Sequence, residues 1–227
     1  MKILSWDVGI INLSYCIIEV NKENKETKII KWGIINLIDY PEMKKNMNLV
    51  FENIPLKLNQ NDFLLDVDAV VIENQPSLKN PKMKSIQMIV YSYFLMYGKI
   101  LNKTDKKIKY IDFCNASNKL KVYKGPKICL EDLKKKKKSV DNNSSIKDFV
   151  IEEKKEEQEI SIEIKDNKTK KLSYTDKKKM AVEHVKYFLK ENNDIENLNF
   201  FNDHKKKDDL ADSYLQCLYI INQKFKK

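Results

Sequence analysis

Arginine is absent from the chain, so all 43 of its cationic side chains are lysine. Lysine is a compact charge on a flexible stem. It lacks the planar fork with which arginine reads guanine edges bidentately. Direct guanine readout by arginine is therefore excluded, and a polyanion bound here is held mainly through its phosphates. The same bias, with abundant Lys, Asn and Ile, fits an AT-rich coding sequence. Glycine is nearly as scarce, at four residues, and forms no phosphate-cradling loop. That argues against a sugar-kinase or actin-like ATPase. The cysteines Cys16, Cys114, Cys129 and Cys217 include no C-x-x-C pair, and His184 and His204 are the only histidines. This pattern argues against zinc and for a reducing, intracellular compartment. No apolar run is long enough to span a membrane, and the first residues read as a strand rather than a secretory leader.

What the chain has in plenty is charge. Of 227 residues, 33% are charged, the net charge is +10 and the pI is about 9.1. The length suits a single domain over 1–227, and the positive excess favours nucleic acid or an acidic membrane surface as partner.

Hydrophobic patterning predicts a mixed α/β arrangement. Ile3 to Val20 reads as a strand, a tight turn at Gly9 and a second strand, and Lys28 to Ile38 as a third after a polar hairpin. Met43 to Leu58 has helical spacing, with Pro55 expected to end it. Ala69-Val70-Val71-Ile72 is a continuous apolar run, as in a strand buried on both faces. Met83 to Leu101 reads as a long helix, Lys109 to Phe113 as a fifth strand and Asn115 to Lys121 as a loop or short helix. Thr175 is the expected N-cap of a helix reaching Leu189, and Asp208 to about Gln223 forms the last helix. Between them, 131–171 is rich in Lys and Glu and poor in aromatics, and is expected to be a flexible insertion.

Three acidic segments stand out against this basic background. They are Ser5-Trp6-Asp7-Val8-Gly9, Val71-Ile72-Glu73-Asn74-Gln75 and Lys207-Asp208-Asp209-Leu210-Ala211-Asp212. Each sets a carboxylate at the edge of an apolar stretch, which is costly unless the charge is paired or binds a cation. Singly they read as a turn, a strand end and a helix start. Asp212 can share a helix face with either Asp208 or Asp209. Together they suit Mg²⁺, which takes hard oxygen ligands and retains waters. Two such ions about 4 Å apart can activate a water and stabilise a leaving oxygen.

The segment Asp7-Val8-Gly9-Ile10-Ile11-Asn12-Leu13-Ser14-Tyr15-Cys16, the segment Ile72-Glu73-Asn74-Gln75 and the ending Lys206-Lys207-Asp208-Asp209-Leu210-Ala211-Asp212-Ser213 together resemble the RuvC-like Holliday junction resolvases of the RNase H-like superfamily. The likeness is greatest to the poxvirus and fungal mitochondrial branch. It implies a mixed five-stranded sheet flanked by helices, and Asp7, Glu73, Asp209 and Asp212 as catalytic metal ligands. The spacing of the branch's final acidic pair selects Asp209 over Asp208, which stays open as an additional ligand. The resemblance further implies Mg²⁺ (or Mn²⁺) dependence, a homodimer, and paired cuts in four-way DNA junctions during viral replication or recombination, in host cytoplasm if the source is a virus. A nuclease for other branched DNA or RNA–DNA hybrids, or a non-catalytic junction binder, is the alternative. Basic residues accompany the site in this family, and Lys119, Lys121 and Lys124 are the candidates for DNA contact, with Tyr123 among them. Lys134 to Lys138 can grip phosphates. His184 is expected to be packed, and His204 stands near the acidic ending.

Overall fold

The computed structural model describes residues 1–102, 108–126, 161–162, 170–171 and 173–225. Five strands form one mixed sheet: β1 (Lys2–Val8), β2 (Asn12–Val20), β3 (Thr27–Asn36), β4 (Ala69–Asn74) and β5 (Tyr110–Asn115). Their spatial order is β3-β2-β1-β4-β5. The first three strands are antiparallel, and β4 runs parallel to both β1 and β5. The β1–β2 connection is tight because Gly9 N–H donates to Asn12 O at 3.0 Å, and a Cβ on Gly9 would lie 2.8 Å from that oxygen. Glycine is required there by close approach.

Alternation along the strands splits the core into two layers. On β1, Leu4, Trp6 and Val8 face one side of the sheet, while Ile3 faces the other. On β4, Val70 and Ile72 join the first set and Ala69 and Val71 the second. The first side is covered by α1 (Met47–Asn59) and α2 (Pro81–Tyr93), the latter prolonged by a π-helical segment, Phe94–Ile100. The second is covered by α3 (Tyr174–Glu191), α4 (Ile195–Asp203) and α5 (Lys207–Ile220). Trp6 is fully buried between Tyr15 and Phe94; truncating such a ring costs roughly 3–5 kcal/mol.

Several boundaries differ from the sequence expectations. Pro55 lies inside α1 rather than at its end. The backbone bond it removes is outweighed by Ile54 and Leu58, which are both fully buried on either side of it. Helix α3 is capped by Ser173, not Thr175: Ser173 Oγ accepts from Asp176 N–H at 3.1 Å and donates to Asp176 Oδ2 at 2.7 Å. This Ser-x-x-Asp exchange resembles a capping box. The short helix α4 has no counterpart in the sequence reading, because its polar stretch buries only Phe201. The 131–171 segment lies outside the described residues, except that Ser161–Ile162 pairs antiparallel with Lys170–Lys171. Among the described residues, no helix is long and apolar enough to cross a membrane.

Candidate active site

Register brings the first two carboxylates together. Trp6 pairs with Ile72 in the parallel β1–β4 ladder, so Asp7 and Glu73 follow as neighbours at the carboxyl ends of adjacent strands. Both occupy the alternation phase that faces α5. In open α/β sheets this end of the strands is where ligands collect.

Helix α5 is fixed to that face by polar contacts as well as by Leu210, Ala211, Tyr214 and Leu215, which are all buried. Gln216 Nε2 donates to Ser5 Oγ at 2.9 Å and to Trp6 O at 3.1 Å. Trp32 Nε1 donates to Leu210 O at 3.1 Å, and the Ser14 and Ser213 hydroxyls lie 2.9 Å apart. These contacts set the first turns of α5 over the ends of β1 and β2, with Asp209 and Asp212 directed there. Asn12 Nδ2 donates to Asp209 Oδ2 at 3.4 Å. The α5 N-terminus also favours acidic groups through its dipole.

The centre of the cluster is a lysine. Lys119, in the 3₁₀ segment Ala116–Val122 that follows β5, is 4% exposed. Its Nζ lies 2.6 Å from Asp7 Oδ1, 3.1 Å from Glu73 Oε1 and 3.1 Å from Asp212 Oδ2. Burial works to lower the Lys119 pKa, but Asp212, Asp7 and Glu73 together hold it well above the ordinary value. One ammonium does not offset the carboxylates around it. Burial, opposed by Lys119 and reinforced by Asp7 and Asp212, pushes Glu73 up to about 8. Burial, then Asp208 and Asp7, raise Asp209 to about 6. Asp212 is also raised by burial, against the pull of Lys119.

Among the described residues, no group of three or more His, Cys, Asp or Glu side chains closes as a preformed metal cage; the carboxylates close around the ammonium instead. The donor chemistry still fits a hard divalent cation. Every side-chain donor is an oxygen, positive charge is already held at the centre, and the surplus negative charge is what such a cation relieves.

No protein-family model matches the chain. A mimivirus protein, "Uncharacterized protein L451" of Acanthamoeba polyphaga mimivirus, is 32% identical over 211 residues. The alignment takes in 91% of this chain, which spans only 42% of that protein's length. Among solved structures, the Fowlpox virus resolvase in complex with substrate Holliday junction DNA superposes with a TM-score of 0.55 at 17% identity, over 100% of both chains. The Fowlpox virus Holliday junction resolvase alone gives a TM-score of 0.51 at 14% identity, covering 98% of this chain and 99% of that one. The chain shares the RNase H-like fold of these structures, a mixed five-stranded sheet flanked by helices.

Within this fold, the third acidic segment divides cleanly. Asp208 turns away and pairs with Lys178 on α3 at 2.6 Å. Burial raises its pKa, but Lys178 outweighs that and holds it below the usual carboxylate value. Of the three lysines singled out from sequence, only Lys119 enters the cluster. Lys121 donates to Asn118 Oδ1 at 2.9 Å, and both Lys121 and Lys124 are exposed. His204 accepts from Lys206 N–H through Nδ1, and His184 is buried, stacked on Tyr123 at 3.8 Å.

One contributor was not assigned a role from sequence. Gln75, 3% exposed, donates through Nε2 to Glu73 Oε2 at 2.7 Å and to Val8 O at 3.4 Å. It thereby ties the ends of β1 and β4 together. Its own backbone N–H donates to Gln87 Oε1 on α2 at 2.7 Å. The signal was present in the Glu-x-Gln spacing, which sets both side chains on one face of an extended segment.

Proposed function

We propose that the chain is a divalent-metal-dependent endonuclease that hydrolyses phosphodiester bonds in branched DNA, with the four-way junction as its foremost substrate. The observation that carries this reading is the convergence of Asp7, Glu73 and Asp212 on one buried cation, Lys119 Nζ, at the strand ends of a resolvase fold. Asp7, Glu73, Asp209 and Asp212 would hold Mg²⁺, or Mn²⁺ in its place. A cation bound there supplies Lewis acidity and lowers the pKa of a coordinated water.

The chain's own residues position and neutralise. β1, β4 and α5 hold the four carboxylates on one rigid frame, which lets binding geometry rather than side-chain search set the rate. Gln75 fixes one oxygen of Glu73. Lys119 holds the carboxylates together. Hydrolysis adds a water oxygen to phosphorus and releases the 3′ oxygen. The remaining lysines, in a chain of net charge +10, supply phosphate contacts whose strength falls with salt.

The solved fowlpox complex with junction DNA supports the substrate class, and the mimivirus relative is consistent with a source in a large virus, where such an enzyme would serve DNA replication or recombination. A homodimer would place two sites about a two-fold axis, matching symmetric cuts. We read 1–227 as one resolvase domain that carries 131–171 as an insertion.

The deciding experiment compares cleavage of four-way, three-way and linear DNA at fixed Mg²⁺ and salt, with Asp7→Asn as control. Preferential paired cutting of the four-way junction, lost in the variant, is expected. Wild-type cutting by Asp7→Asn would overturn the site assignment. Binding without cutting under any Mg²⁺ or Mn²⁺ condition would make the protein a junction binder.

A further inference from the structure

Away from the acidic cluster, a cleft of about 530 Å³ opens between Lys121–Gly125 and the far end of α5. Its lining combines three chemistries. Lys121 and Lys124 bring positive charge, Tyr187, Phe188 and Tyr219 bring half-buried rings, and Asn222 and Gln223 bring exposed amides. No Asp or Glu lines it among the described residues. A metal ion or polyamine would meet two ammonium groups and no carboxylate. A purely apolar ligand would have no use for the lysines and amides. A nucleotide uses all three, with its phosphate on the lysines, its base face on the rings and its base edge on the amides. The volume falls within the roughly 300–1,000 Å³ usual for small-ligand sites.

The ring wall is held in place before any ligand arrives. Tyr123 stacks on His184 with centroids 3.8 Å apart and planes at 3°, and meets Tyr187 edge-on at 5.2 Å and Phe188 at 5.9 Å. The Tyr123 hydroxyl donates to Pro126 O at 2.9 Å. Gly125 lies under that ring, where a Cβ would come within 2.7 Å of it. Such a wall does not have to be ordered at binding, which lowers the cost of association.

The cleft is also within reach of the acidic cluster. Lys119 and Lys121 share one 3₁₀ segment, the first directed into the carboxylates and the second lining the cleft. Along α5 and its extension, Asp212 to Asn222 spans about 15 Å at ~1.5 Å per residue. That is about four to five nucleotides of a B-form strand at ~3.4 Å each.

We propose that this cleft is a second nucleic-acid subsite that takes one unpaired nucleotide of the DNA whose scissile phosphate lies at the acidic cluster. The proposal rests on DNA being the substrate. Extruding a base is cheapest where it is already unpaired, so the subsite favours strands at a branch point over continuous duplex.

The test uses the full chain carrying Asp7→Asn, to prevent cutting, and two probes. One is a short oligothymidylate containing iododeoxyuridine. The other is a four-way junction with the same photoreactive base placed in turn at each position within about five nucleotides of the branch. After irradiation, adducts are mapped by mass spectrometry. Adducts on Tyr187 or Tyr219 are expected with both probes, and Tyr219→Leu and Lys124→Gln should each weaken oligothymidylate binding about tenfold. Adducts confined to other surfaces, with binding unchanged in both variants, would overturn the subsite. If the wild-type chain cuts junctions and no adduct forms in the cleft, the subsite alone fails. If oligothymidylate labels Tyr187 or Tyr219 while no junction is cut, the subsite stands and the junction reading fails.

Discussion

Lys119 Nζ lies 2.6 Å from Asp7 Oδ1, linking the end of β1 to a residue 112 positions later. The contact is almost wholly buried, with the two side chains 5% and 15% exposed. Removing one partner of a buried ion pair strands the other, at a cost of about 3–5 kcal/mol. Here it would strand three carboxylates. Lys119→Met should therefore lower the melting temperature sharply in EDTA. Because a divalent cation can replace the lost charge, saturating Mg²⁺ should recover more stability in the variant than in the wild type. Equal Mg²⁺ shifts in the two proteins, measured by thermal melts, would refute an electrostatic role for Lys119.

Asp208 and Asp209 are adjacent in sequence but differ in environment. Asp208 is paired with Lys178 at 2.6 Å, whereas Asp209 is directed toward Asp7 and receives Asn12 at 3.4 Å. Asp209→Asn should reduce junction cleavage at least ~100-fold, beyond the roughly 10–100-fold seen for outer residues of metal sites. Asp208→Asn should retain cleavage and change stability by no more than about 1 kcal/mol, as expected for a partly exposed ion pair. Single-turnover rates of the two variants separate these outcomes, and equal losses would show that both aspartates serve the site.

The strands, and the approach of Asp7 and Glu73 to each other, were legible because period-two patterning is local. The alternation that buries Val70 and Ile72 on one side also aims Glu73 to the other, alongside Asp7. The choice of Asp209 needed the resemblance as well, since spacing alone left Asp208 open. What local pattern does not carry is long-range closure. Lys119 follows Asn115-Ala116-Ser117-Asn118, which resembles a loop of the family, but local pattern did not separate its role from that of Lys121; its position after β5 puts its ammonium into a cluster built by β1, β4 and α5. Helix α4 was missed for a related reason: its polar stretch buries only Phe201, which stacks on Trp32 of distant β3 at 5.3 Å.

Burial, together with the crowding of carboxylates, makes the metal-free protein sensitive to alkali. Glu73 moves from an ordinary 4.5 to about 8, and Asp209 from 3.8 to about 6. Between those limits the folded chain keeps protons that the unfolded chain has released, so these groups lose stability as pH rises. In EDTA, the melting temperature should fall between pH 6 and pH 8, and Glu73→Gln should flatten much of that fall. Added Mg²⁺ competes with the same protons. Its stabilising shift should thus be larger at pH 8 than at pH 6. A shift that does not vary with pH would mean that Glu73 is not displaced from its protonated state by the cation.

Gln75 holds Glu73 from the side opposite Lys119, giving its Nε2 to Oε2 at 2.7 Å while Lys119 approaches Oε1 at 3.1 Å. Gln75→Leu keeps similar bulk but removes the donor, leaving Glu73 Oε2 without its amide partner and Val8 O without that contact. Loss of a buried hydrogen-bond partner costs about 1–3 kcal/mol of stability. A purely structural defect would stop there. A positioning role predicts a further effect: the Mg²⁺ concentration for half-maximal cleavage should rise about 10–100-fold, with most of the rate recovered at saturating metal. Gln75→Glu should not rescue, because it adds a carboxylate to a site already rich in them. An unchanged Mg²⁺ requirement in Gln75→Leu, despite a lowered melting temperature, would reduce Gln75 to a packing residue.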